Sequence, residues 1–138
     1  MWIEDFSPYT EFARIVAVGW LERGCQYSTG QVSAEVFSKL RDFFVDPWQP
    51  AVAAGAHQCD LCLHEPEKAG ANNLFVPGDQ RLYVAPELIL HYMNAHQYRP
   101  GNEFCDAVLR CPPMKSTEYR RAIGVAAGPG LLRALGGP

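Results

Sequence analysis

The chain has no long hydrophobic run. The longest, Ile15 to Leu21, is seven residues and interrupted by a glycine, whereas a membrane-spanning helix needs about 20 apolar residues. A secretory leader is not expected: the opening Met1-Trp2-Ile3-Glu4-Asp5-Phe6 is acidic where a secretory signal would be positive. Excess positive charge is missing too. The net charge is −3, which argues against a general nucleic-acid binder with its basic stripe. There are no internal repeats and no heptads. Cysteines are few and odd in number, five in 138 residues, so a disulfide framework is not expected. These absences together lead to the expectation of a cytoplasmic protein outside the membrane.

The 48% apolar and 20% charged composition is that of an ordinary globular domain rather than a disordered chain. The length suits one domain with a core of its own, so a metal would add to that core rather than replace it. Charge is unevenly distributed. Residues 110–138 carry Arg110, Lys115, Arg120, Arg121 and Arg133 against Glu118 alone. Isolated charges without aromatic stacking partners are weak evidence of a phosphate site, and this basic end reads as a solvated surface.

Local patterns predict a mixed α+β fold. Arg14 to Leu21 is rich in β-branched residues and reads as a buried strand. Ser33 is a candidate N-cap, with Val32 and Phe37 at hydrophobic-staple positions. Val36, Phe37, Leu40, Phe43 and Phe44 then recur at helical spacing up to the Asp46-Pro47 stop. Leu74 to Val76 and Leu82 to Val84 flank Gly78-Asp79 as a β-hairpin. Pro86 is expected in the first turn of a helix running to about Gln97. Asn102 is expected to cap a helix ending at Arg110, before Pro112-Pro113. Ser116 should cap a last helix, to about Ala126. One domain is predicted over 1–127, followed by a loose Gly/Pro-rich tail over 128–138.

The chemistry concentrates in two pairs. Cys59 and Cys62 form a Cys-x-x-Cys knuckle, and His91 and His96 form a His-x4-His pair. Two thiolates and two imidazoles are a common tetrahedral zinc set. The order, a cysteine knuckle, a hairpin, then a helix with two histidines, is that of a treble-clef-like element. The gap between pairs requires a long loop before the hairpin. On a regular helix His91 and His96 would differ by about 140°; both reach one ion only if the last turn departs from helical geometry, and Pro100 favours an early end. His57 or His64 could replace one helix histidine, and Cys105 and Cys111 are further candidates, more simply read as apolar fillers. The surroundings of Cys-x-x-Cys, with Glu65-Pro66 after it, do not match a redox motif opening a helix. Cys25 has only Arg23 as a basic neighbour and no histidine nearby, so a nucleophile is not expected there.

Several stretches combine into a wider pattern: Ser7-Pro8-Tyr9, Val18-Gly19-Trp20-Leu21, Ser28-Thr29-Gly30, His57-x-Cys59-x-x-Cys62, Phe75-Val76-Pro77-Gly78, Tyr83-Val84-Ala85-Pro86-Glu87-Leu88-Ile89, His91-Tyr92-x-x-x-His96, Tyr98-x-Pro100 and Glu103-Phe104. In these the chain resembles a group of small bacterial proteins classed as a domain of unknown function. The resemblance implies a single intracellular domain with a shared His/Cys site; it adds no catalytic residue to the reading.

The function expected from the residues is a non-catalytic zinc domain that meets another protein or serves regulation, because four protein ligands close the metal shell. A zinc hydrolase or nuclease is the alternative; it needs a metal-bound water and a base such as Glu87 or Glu65. The plainer role of Glu87 is a carboxylate at a helix N-terminus. Nucleic-acid binding is third and would require the basic C-terminal residues to converge on one face.

Overall fold

The computed structural model describes residues 2–8, 14–50, 57–62 and 69–136, with the side chains of 57 and 69 outside that set. Its elements, in chain order, are β1 (Ile15–Ala17), α1 (Ala34–Phe43), β2 (His57–Gln58), β3 (Ala69–Gly70), β4 (Asn73–Pro77), β5 (Leu82–Pro86), α2 (Ile89–Ala95), α3 (Asn102–Arg110), α4 (Thr117–Ala127) and α5 (Pro129–Leu135). The class is α+β. A three-stranded sheet runs β1-β5-β4, and β2 and β3 form a separate two-stranded sheet. The order of knuckle, hairpin and helix is consistent with a treble-clef-like element.

The predicted hairpin is β4–β5, antiparallel, with Phe75 opposite Val84. Gly78 closes its loop through an N–H bond to the Arg81 carbonyl, 2.9 Å. A Cβ on Gly78 would stand 2.5 Å from the Tyr83 ring, so the ring requires glycine there. β1 joins the other side of β5 in parallel, Ile15 opposite Leu82. It is shorter than the strand expected over 14–21. Gly19 takes a left-handed φ of +82° and turns the chain out of the ladder. Its N–H donates to Asp5 Oδ1 at 2.9 Å, and a Cβ would press on Ile89 at 2.9 Å.

The helices follow from their caps and stripes. Ser33 Oγ accepts the Val36 N–H and starts α1, which buries Val36, Leu40 and Phe43. Ser116 Oγ does the same for Tyr119 and starts α4. Two starts differ from expectation. Pro86 ends β5, paired with Asn73, and α2 begins three residues later, because the ladder holds the chain extended through Pro86. Gly101, not Asn102, caps α3; the Asn102 side chain accepts instead from Arg99 Nη2 at 2.8 Å.

The segment expected as a loose tail is also different. Pro129–Leu135 forms α5, with Leu131 and Leu135 buried. Two leucines at i and i+4 share one face, and that apolar face outweighs the glycines around it. α4 packs on β4, β5 and α5, and α1 packs on α3 and α2. Tyr119 is fully buried and its hydroxyl donates to the Phe75 carbonyl at 2.7 Å. β4 is an edge strand, and Tyr119 and Gln49, which accepts the Asn73 N–H at 2.9 Å, satisfy polar groups along it. Among the described residues, no helix is long and apolar enough to cross a membrane.

Candidate metal centre

The knuckle Cys59 to Cys62 follows directly on β2, whose partner β3 lies just before the main hairpin. The two histidines come from the other side of the hairpin. His91 is in the middle of α2. His96 is the residue after the helix, with φ −124° and ψ 13°, so the helical 140° offset does not apply to it. Its N–H still bonds to the Tyr92 carbonyl at 3.0 Å. Gln97 then takes φ +57°, and the Tyr98 N–H returns to the same Tyr92 carbonyl at 3.1 Å. This reversal turns the His96 ring toward His91, with ring centroids 5.0 Å apart at 83°.

Four side chains therefore converge. The Sγ atoms of Cys59 and Cys62 are 3.8 Å apart. Cys62 Sγ lies 3.3 Å from His91 Nε2 and 3.5 Å from His96 Nε2, and Cys59 Sγ lies 3.5 Å from His96 Nε2. All four donor atoms fall within 4.8 Å of one another, and the cluster could hold a metal ion. A thiol has one hydrogen, so Cys62 cannot serve three close neighbours by donating; a cation among them would satisfy all four at once. Cys59 is buried, and Cys62, His91 and His96 are half-buried.

The surroundings tie the cluster to the core. Tyr92 is buried beside both imidazoles, with centroids 6.2 Å from His91 and 6.4 Å from His96. Burial pushes its hydroxyl well above the usual tyrosine range, with the neighbouring Cys59 and Asp60 adding to the effect. The segment 22–30 runs along the site. Arg23 bonds to the knuckle: its N–H donates to Asp60 Oδ1 at 3.0 Å, Nε to the Asp60 carbonyl at 2.9 Å and Nη2 to the Cys62 carbonyl at 3.3 Å. Tyr27 donates its hydroxyl to the His96 carbonyl at 3.2 Å. Sequence reasoning gave neither residue a role at the site. Nothing in local spacing marks them, since their partners lie 37 and 69 positions away.

The alternates sort differently. The side chain of His57 and all of His64 lie outside the described residues, as does Glu65. Cys105 is not in the cluster; its thiol faces the Pro100 carbonyl at 3.7 Å, and burial raises it above the usual thiol range. Cys111, at the end of α3, is buried outside the cluster; its thiol donates to the Pro112 carbonyl at 3.4 Å and is pushed up to about 12 by desolvation. Cys25 turns its thiol to the Glu22 carbonyl at 2.7 Å. Glu87 is not at the cluster. Its Oε1 accepts the N–H groups of Ala71 and Asn72, each at 3.3 Å, and so holds the turn before β4.

No curated protein and no solved structure matches the chain. One family model does, over residues 1–109, and it takes in all four members of the cluster while leaving α4 and α5 outside. The chain thus belongs to the family described as a domain of unknown function (DUF7919).

Proposed function

We propose that the chain is a non-catalytic zinc-binding domain that works as a protein-interaction or regulatory module. The observation carrying this reading is the spacing of the four donors. Zinc at about 2.3 Å from sulfur and about 2.0–2.1 Å from nitrogen, in a tetrahedron, sets S···S edges of about 3.8 Å and S···N edges of about 3.6 Å. The cluster has 3.8 Å between sulfurs and 3.3–3.5 Å between sulfur and nitrogen for three of its edges. Two thiolates and two imidazoles would complete the shell, as structural zinc sites do. A filled shell leaves the domain's surface, rather than metal-bound water, as its working part, and another protein as the partner.

A zinc hydrolase or nuclease is less well supported, since the carboxylate of Glu87 is engaged with backbone N–H groups. The nucleic-acid reading also gains little. Arg110 and Arg121 line a cavity of about 670 Å³ together with Asp79 and Glu118, and Lys115 pairs with Asp46 at 3.0 Å. Acidic neighbours at these cations do not make a phosphate track.

Metal analysis of protein purified without chelator should find close to one zinc per chain, with anomalous scattering at the zinc edge centred between the four donors. Finding no metal in such protein would refute the reading.

A further inference from the structure

We infer that Arg23 and Tyr27 are positioning residues of the metal centre: the segment 22–30 holds the cysteine half and the histidine half at the separation one ion requires. This rests on the zinc reading above and adds a third chain segment to it. The two halves belong to different elements. The knuckle extends from a two-stranded sheet that is separate from the main one. His96 is the residue that ends α2: its N–H keeps the bond to the Tyr92 carbonyl, but its φ and ψ have left the helical region and no helical turn follows it. Something must hold each half in place, and segment 22–30 contacts both.

At the knuckle, Arg23 uses its backbone N–H and two guanidinium nitrogens on three acceptors, spanning Asp60 and Cys62. Asp60 is in the Cys-x-x-Cys loop and Cys62 supplies a donor atom, so the planar fork sets the angle of the loop that carries both thiols. A lysine at this position cannot reproduce the fork, because its ammonium is a single point of donation. At the histidine half, Tyr27 bonds the carbonyl of His96 itself. Its ring stacks edge-on against Tyr98, centroids 6.1 Å apart. The segment continues past Tyr27 to clasp the same reversal: Ser28 Oγ donates to the Arg99 carbonyl, the Arg99 N–H to the Ser28 carbonyl at 3.0 Å, and the Gly30 N–H to the Gln97 carbonyl at 3.0 Å. Partners that hydrogen-bond ligating side chains directly change affinity about 10- to 100-fold when removed; Arg23 and Tyr27 act one step further out, on the backbone that carries the ligands. The Arg23 contacts are exposed, which places their effect at the low end.

The test is cobalt(II) and zinc titration of the full chain, with a chromophoric chelator as competitor, on wild type, Arg23→Ala, Arg23→Lys and Tyr27→Phe. Wild type should show the visible bands of tetrahedral cobalt with thiolate ligands. Its failure to do so would defeat the metal reading before any variant is considered, and this inference with it. With wild type binding, Arg23→Ala should weaken zinc about 10-fold, keep the tetrahedral cobalt spectrum and leave the thermal stability of the chelator-treated protein unchanged. Arg23→Lys should fall between the two. Tyr27→Phe should weaken zinc a few-fold. Affinity within twofold of wild type in both Arg23→Ala and Tyr27→Phe would overturn the inference. So would an Arg23→Ala protein whose metal-free form is destabilised as much as its metal-bound form, because the residue would then be supporting the fold alone.

Discussion

Replacing Cys62 with alanine separates the metal's contribution from that of the core. Cys62 Sγ is the atom that faces the other three donors, at 3.8, 3.3 and 3.5 Å, so its loss removes the centre of the cluster. The side chain is half-buried, and its truncation alone should cost little in packing. What it removes is linkage. A ligand that binds only the folded chain stabilises it by about 4 kcal/mol when present at a thousand times its dissociation constant. For a chain of this size each kcal/mol moves the melting temperature by roughly 3–5 °C, so the total is on the order of 10–20 °C. The assay is thermal unfolding of wild type and variant, each with zinc and with chelator. Wild type should drop by that amount on chelation, and Cys62→Ala should melt near the chelated wild type in both conditions. The variant should remain folded. Of the four donor residues only Cys59 is part of the buried core, which otherwise rests on the β1-β5-β4 sheet and the helices around it. A wild type indifferent to chelator, or a variant that still responds to it as wild type does, would refute the reasoning.

Two further predictions test the frame that holds the site. Leu40 is fully buried on α1, and Leu40→Ala should cost about 2–5 kcal/mol in denaturant unfolding; a loss below about half a kcal/mol would show that this face does not pack as described. Tyr119→Phe keeps the ring but leaves the Phe75 carbonyl on the edge strand without its hydroxyl donor. It should cost about 1–3 kcal/mol with an unchanged denaturant slope, and no measurable loss would mean that this carbonyl is otherwise satisfied.

The family model stops at residue 109, yet α4 and α5 bury Tyr119, Ile123, Ala126, Ala127, Leu131 and Leu135. In this chain the segment beyond the family's span closes the core over β4. The cluster and segment 22–30 lie entirely within the family's span. The part within the family's span and the short part beyond it therefore have separate tasks in the reading developed above, the first building the metal centre and the second covering the edge of the sheet.

What the sequence determined by itself is local. Ser33 and Ser116 act as caps because a hydroxyl reaches an N–H three residues on. The β4–β5 hairpin follows from two apolar runs around Gly78. The knuckle and the histidine pair stand out because ligand types recur at short, fixed spacings, and the need for His96 to leave the helix follows from 3.6 residues per turn. Other features depend on partners far along the chain. Nothing near Ile15 announces its parallel pairing with Leu82, and Gly19 ends the strand because Ile89 and Asp5 are close to it in space. Pro86 suits a helix start or a strand end equally by its own geometry; pairing with Asn73 decided for the strand. The glycine-rich end reads as a tail until a surface exists to receive Leu131 and Leu135. Arg23 and Tyr27 have no local pattern at all, since hydrogen bonds to backbone carbonyls 37 and 69 positions away are specified only once the chain has folded. Short-range bonding and periodicity are written in neighbouring residues, whereas burial and long-range pairing are properties of the assembled core, and only the tertiary structure decided them.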